Sequence, residues 1–138
     1  MMTNQGNWRQ SFNIPGANHG TTPIPSATRV GNMLFSSGLM GADPLTGELS
    51  ADAQAQVKQA FLNLDAVLNT AGSCLGDVAH LTVSLVDISI RDHVNREWLQ
   101  RFPDPNSRPA RHTNVKDLRA GMLVQLEVVA VINGTRGE

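Results

Sequence analysis

The sequence has no tyrosine, and aromatic residues fill only 4% of its 138 positions. That scarcity excludes the run of stacked aromatic side chains on which single-stranded nucleic acids are bound. Charge is thin as well: 17% of residues are charged, below the usual globular share of about 25%. A surface so poor in charge fits one that is partly covered by other copies of the chain. Eleven Lys and Arg against twelve Asp and Glu leave a formal net charge of −1. No long-range field therefore draws the chain onto nucleic acid or an anionic membrane. Cys74 is the one cysteine, so no internal disulfide forms, which suits a reducing compartment such as the cytoplasm. It sits between Ser73 and Leu75 with no nucleophile motif around it and reads as a small hydrophobe. His19, His80, His93 and His112 lack metal-ligand spacing, and nucleotide-binding glycine patterns are absent. Neither a metal nor a cofactor is expected. No stretch approaches the roughly 20 apolar residues of a membrane span, and the opening residues lack the pattern of a secretory signal.

What is present orders into one domain. Residues 1–22, rich in Asn, Gly and Thr, read as an extended or mobile lead, residues 23–132 as the domain, and 133–138 as a tail. Ser26–Val30 and Met33–Ser37 flank Gly31-Asn32, a β-hairpin signal, and Asp43-Pro44-Leu45-Thr46-Gly47 is a turn. From Asp52 to Ala71, Val57, Phe61, Leu64, Leu68 and Ala71 repeat at helical spacing, with Ser50 as the expected N-cap and Gly72 at the C-terminal cap. Val78–Ile88 reads as a strand. A shorter helix capped by Asp92 then presents Val94, Trp98 and Phe102. The three prolines of Pro103–Pro109 enforce a loop, after which Ala110–Val115 and Met122–Ile132 are strands. The order ββ-α-β-α-ββ suits an α+β layer with both helices on one face of a sheet, whose other face a partner would cover.

Several segments carry a family likeness. Arg29-Val30-Gly31-Asn32-Met33-Leu34-Phe35-Ser36-Ser37-Gly38, Asp43–Glu48, Ala60–Leu64 through Gly72–Val78, Arg108-Pro109-Ala110-Arg111 and the strand Val124–Val131 resemble the Rid superfamily, also called the YjgF or L-PSP family. The likeness spans about Pro23 to Ile132. It implies a chorismate-mutase-like α+β fold, a homotrimer with ligand clefts between subunits, and cofactor-free hydrolysis of reactive enamines and imines. By the same resemblance Arg111 clamps the substrate carboxylate, and the backbones of Gly38 and Thr113 line the cleft. Ile24 stands where the founding branch has a tyrosine, Thr113 where many members have cysteine, and Gln125 where a glutamate holds the attacking water. The chain therefore reads as a divergent branch rather than as the founding group.

The chemistry of these residues supports some roles and limits others. A guanidinium pairs with a carboxylate through two donors, as lysine cannot, so Arg111 is the first candidate anchor; the plain alternative is an ion pair with Glu127 or an aspartate. Gln125 can orient a water or carbonyl but cannot take a proton as a general base. Glu127 shares the strand parity of Gln125 and is either a further site group or a surface charge. Thr113 shares the face of Arg111, whereas His112 points to the opposite one. His19, in the lead, is a candidate acid that could fold over a cleft. Three functions follow: a deaminase acting on a small carboxylate-bearing substrate, a non-catalytic carboxylate-binding or regulatory trimer, and an endoribonuclease or translation inhibitor of the L-PSP type. The last would use a basic rim of Arg101, Arg108, Arg111, Lys116 and Arg119, and the net charge argues against it.

Overall fold

The sheet grows from a hairpin. In the computed structural model, which describes residues 8–134, β2 (Ala27–Val30) and β3 (Met33–Ser36) pair antiparallel, with Val30 opposite Met33. Gly31 takes φ +58° and Asn32 does not enter positive φ. This is the turn type that puts glycine first and matches the twist of the flanking strands. The lead contributes a strand of its own: β1 (Arg9–Phe12) pairs with β2. The lead, read as extended or mobile, is thus extended over these four residues and paired with the sheet; residues 1–7 lie outside those described. The polar run Arg-Gln-Ser-Phe shows no burial alternation because it lies on an edge, mostly exposed.

Further along come the short β4 (Leu39–Met40), helix α1 (Ala53–Thr70), β5 (Val78–Leu85), helix α2 (Arg91–Arg101), β6 (Ala110–Val115) and β7 (Val124–Val131). The strands lie in the order β1-β2-β3-β7-β5-β6, with β4 also on β7. Only β5 and β6 are parallel, joined by α2 as a crossover. Several boundaries differ from expectation, and β7 begins at Val124 rather than Met122. Asp52, not Ser50, caps α1 by accepting from the Ala55 N–H, while Ser50 Oγ accepts from the Asp52 N–H one step earlier. β5 stops at Leu85, because Asp87 turns the chain by accepting from the Ser89 N–H. Asp92 lies in the first turn of α2 rather than capping it; Ile90 holds the cap position with no side-chain bond.

Both helices pack on one face of the sheet. Leu34, Leu81, Val83, Leu85, Val124, Leu126, Val128 and Ala130 point to that side and are buried, with Val57, Phe61, Leu64 and Leu68 of α1 against them. Each fully buried Leu or Phe contributes about 1.5–3 kcal/mol. Two amides share the buried stripe of α1. Gln56 donates to the carbonyls of Ser50 and Gly121 and accepts from the Leu123 N–H at 2.6 Å. Asn63 donates to the carbonyls of Gly16, Met40 and Ala42. Buried amides are tolerated when satisfied in this way, and these two tie the loops at both ends of the sheet to the helix. Ser26 Oγ adds a bond to Ala17 O at 2.8 Å and accepts from the Ile14 N–H, so residues 13–26 are pinned rather than loose. The other sheet face carries Met33, Phe35, Met40, Val129 and Val131 beside Thr82, Ser84, Gln125 and Glu127. No helix of the described residues covers it, and Phe35 and Val131 are each 42% exposed. Among those residues no helix is long and apolar enough to cross a membrane.

Candidate active site

Arg111 lies on the edge strand β6, opposite Leu81 of β5, so its side chain leaves on the helix side. There its Nε donates to Thr113 Oγ1 at 3.1 Å and its Nη2 to Asn95 Oδ1 at 2.7 Å. The guanidinium rests over the indole of Trp98, 5.0 Å from the ring centroid. Two residues' spacing along the strand puts Thr113 beside Arg111, as the parity argument expects. Asn95 and Trp98 were not legible as partners, because only the packing of α2 on β6 brings them there. Burial first, and the charge of Arg91 second, pull the Arg111 pKa below the ordinary arginine value.

A second arginine in the same layer shows what neutralisation looks like. Arg101 stacks on Phe61 with its carbon 5.1 Å from the ring centroid. Its Nε and Nη2 clasp both oxygens of Asp65, at 3.1 and 2.8 Å, and its Nη1 reaches Glu97 Oε1 at 2.9 Å. Burial opposes its charge, but Asp65 and Glu97 outweigh burial and raise its pKa. Arg111 presents the same Nε/Nη2 edge to a neutral hydroxyl and a neutral amide instead. Among the described residues no carboxylate stands within ion-pair distance of it, and Glu127 points to the opposite sheet face. Its Nη1 and the second Nη2 hydrogen remain for an anion from outside the chain.

The other candidates gather elsewhere. Gln125 faces away from the helices, opposite Met40 on one side and Ser84 on the other. Its amide lies where a Cβ on Gly38 would stand. Met40 leads on to a groove of about 670 Å³ walled by Asn13–Gly16, His19, the Asp43–Gly47 turn and Arg119. His19 Nε2 is buried there without a hydrogen-bond partner. Burial, then the charge of Arg119, lowers its pKa and favours the neutral ring. Ile24 lines a neighbouring groove, also bordered by His19. Thus Gly38, Gln125, His19 and Ile24 lie toward one part of the sheet, while Arg111 and Thr113 lie on the far edge and the opposite face. Within one chain they do not meet. Of the expected basic rim, Arg101 and Arg108 border one groove, Arg101 held by acids and Arg108 donating to the Phe102 and Pro103 carbonyls, while Arg119 borders the His19 groove. Among the described residues no three His, Cys, Asp or Glu side chains group to hold a metal.

Comparison with known proteins agrees with this architecture. The family model described as Endoribonuclease L-PSP matches residues 19–132. The chain belongs to this family, the Rid superfamily. A RutC family protein of Aquifex aeolicus is 36% identical over 110 residues, covering 79% of this chain and 88% of that one. The 2-iminobutanoate/2-iminopropanoate deaminase of Escherichia coli is 32% identical over 111 residues, with 79% and 87% covered. Among solved structures, RidA from an Antarctic Psychrobacter superposes with a TM-score of 0.80 at 33% identity, covering 89% of this Rid protein and 99% of its own chain. The YjgF gene product of Escherichia coli superposes with a TM-score of 0.78 at 30% identity, covering 88% of this chain and 98% of its own, and the mixed sheet backed by two helices is the fold shared with both.

Proposed function

We propose that this Rid protein hydrolyses small imines or enamines bearing a carboxylate, without a cofactor, in a cleft that a second copy of the chain completes. The state of Arg111 carries the reading: a half-buried guanidinium braced by neutral acceptors over an indole, with no carboxylate in ion-pair distance among the described residues. Such a group is arranged for an incoming anion. The chemistry balances with water alone. Water adds to the carbon of C=N, the nitrogen takes up a proton, and the C–N bond breaks to leave an oxoacid and ammonia. Arg111 holds the carboxylate, the Thr113 N–H and Gly38 backbone position the reacting end, and the Gln125 amide orients the water. The substrate arrives reactive, so positioning supplies much of the rate. Since Arg111 and Gln125 lie on opposite faces of one sheet, the cleft needs Gln125 from a neighbouring copy, and the uncovered face with Phe35 and Val131 supplies the contact of a closed trimer.

The test is ammonia release from 2-aminoacrylate generated in the assay, beside light scattering. We expect accelerated release, a trimer mass, and weaker small-oxoacid binding in Arg111→Lys by about 1–3 kcal/mol. A monomer at micromolar concentration, or undiminished oxoacid affinity in Arg111→Lys, overturns the reading. The amide at Gln125 favours one other outcome: oxoacid binding through Arg111 without faster ammonia release would make the protein a carboxylate-binding trimer.

A further inference from the structure

Arg91 is the first residue of α2, and Asn95 and Trp98 follow it at i+4 and i+7. These three positions form one stripe of the helix. Asn95 and Trp98 both hold Arg111, so the stripe faces the anion site and Arg91 stands one turn beyond it, a rise of about 6 Å.

Its placement works against stability. A cation at a helix N-terminus opposes the helix dipole, and Arg91 also stands near enough to Arg111 for the two charges to repel. Local acids do little to compensate. Asp87 spends an oxygen on the Ser89 N–H, Glu97 is taken by Arg101, and Asp92, next in sequence, points away from the stripe. Among the described residues no carboxylate stands within ion-pair distance of Arg91. Two guanidinium groups with no carboxylate in ion-pair distance among the described residues therefore lie along one stripe and feel each other's charge, so a ligand held at Arg111 can carry a second carboxylate toward Arg91.

We infer that Arg91 is a specificity-determining residue that binds a second carboxylate, so that the site prefers imino acids with two acidic groups over those with one. This rests on the proposed role of Arg111 as the anchor of the first carboxylate.

Calorimetry on the full-length protein with stable oxoacid products tests it, using oxaloacetate and 2-oxoglutarate against pyruvate and 2-oxobutanoate. Wild type should bind the dicarboxylates about tenfold more tightly, the scale of one added charge-assisted contact. Arg91→Gln should collapse that ratio toward one, Arg91→Lys should keep most of it, and Arg111→Lys should weaken both ligand classes. Thermal unfolding of Arg91→Gln should be at or above that of wild type, since the charge opposes the fold. A ratio near one in wild type, or a dicarboxylate preference untouched in Arg91→Gln, overturns this inference while leaving the anchor intact. Failure of every oxoacid to bind, or binding insensitive to Arg111→Lys, sinks the proposed function and this inference together.

Discussion

The Gln125 amide fills the space that a side chain on residue 38 would occupy. Gly38 is thus needed for close approach rather than for an unusual backbone angle, because its φ is not positive. Gly38→Ala should fold normally, with stability within about 1 kcal/mol, but its methyl group must displace the amide. Turnover of a carboxylate-bearing imine should fall about tenfold or more, with oxoacid affinity at Arg111 nearly kept. Steady-state ammonia release beside calorimetry separates the two; an unchanged turnover would show that the position of Gln125 does not matter.

Gln125→Glu asks the complementary question. It offers a carboxylate at nearly the same volume, and a positioned general base is typically worth about 10²–10⁴-fold. We expect a gain of about tenfold in kcat, below that range, because Ile24 leaves no hydroxyl nearby to assist. Flat turnover with intact ligand affinity would point to a binding role.

The two stacked arginines should respond oppositely to neutralisation. Arg101→Gln strands Glu97, which is buried, and Asp65, which is half-exposed, and should cost about 2–4 kcal/mol in urea unfolding. Arg111→Gln removes a charge that nothing in the chain neutralises and should change stability by about 1 kcal/mol or less while abolishing oxoacid binding. Equal losses of stability would mean that Arg111 holds the fold rather than a ligand.

His19 gives a pH signature. Its folded pKa lies below the ordinary histidine value because burial, then Arg119, disfavours the charged ring. The unfolded chain therefore binds the proton more readily. Stability is full above the ordinary value of 6.5 and declines as pH falls through that value toward the lower folded pKa. Urea midpoints at pH 7.5 and 5.5 should differ in wild type, and His19→Asn should reduce the difference. A midpoint gap as large in the variant would assign the acid sensitivity elsewhere.

Much of this was legible from residues alone, for identifiable reasons. The hairpin at Gly31-Asn32 and the stripe Val57-Phe61-Leu64-Leu68 are local patterns, and local patterns survive in sequence. Strand parity likewise placed Thr113 with Arg111 and Glu127 with Gln125. Strand β1 was hidden because an exposed edge imposes no alternation on Arg9–Phe12. Gln56 and Asn63 break the apolar stripe of α1 for partners up to 67 residues away, which no window along the chain contains. The separation of Arg111 from Gln125 was equally invisible, since it follows from the strand order β7-β5-β6.

That strand order also dictates when the molecule can take shape. β7 is the last strand of the described residues, yet it lies between β3 and β5 and also holds β4. Until it inserts, β1–β3 and the β5-α2-β6 crossover are separate pieces with no shared backbone ladder. Each piece closes short loops, whereas joining them closes a span from Met33 to Val131, the slow kind of step in folding. Leu126→Ala, at the centre of β7, should therefore appear mainly in the refolding arm of a chevron, and Phe12→Ala in β1 mainly in the unfolding arm. A nascent chain on the ribosome must hold both halves unjoined, with their edges exposed, until β7 has emerged.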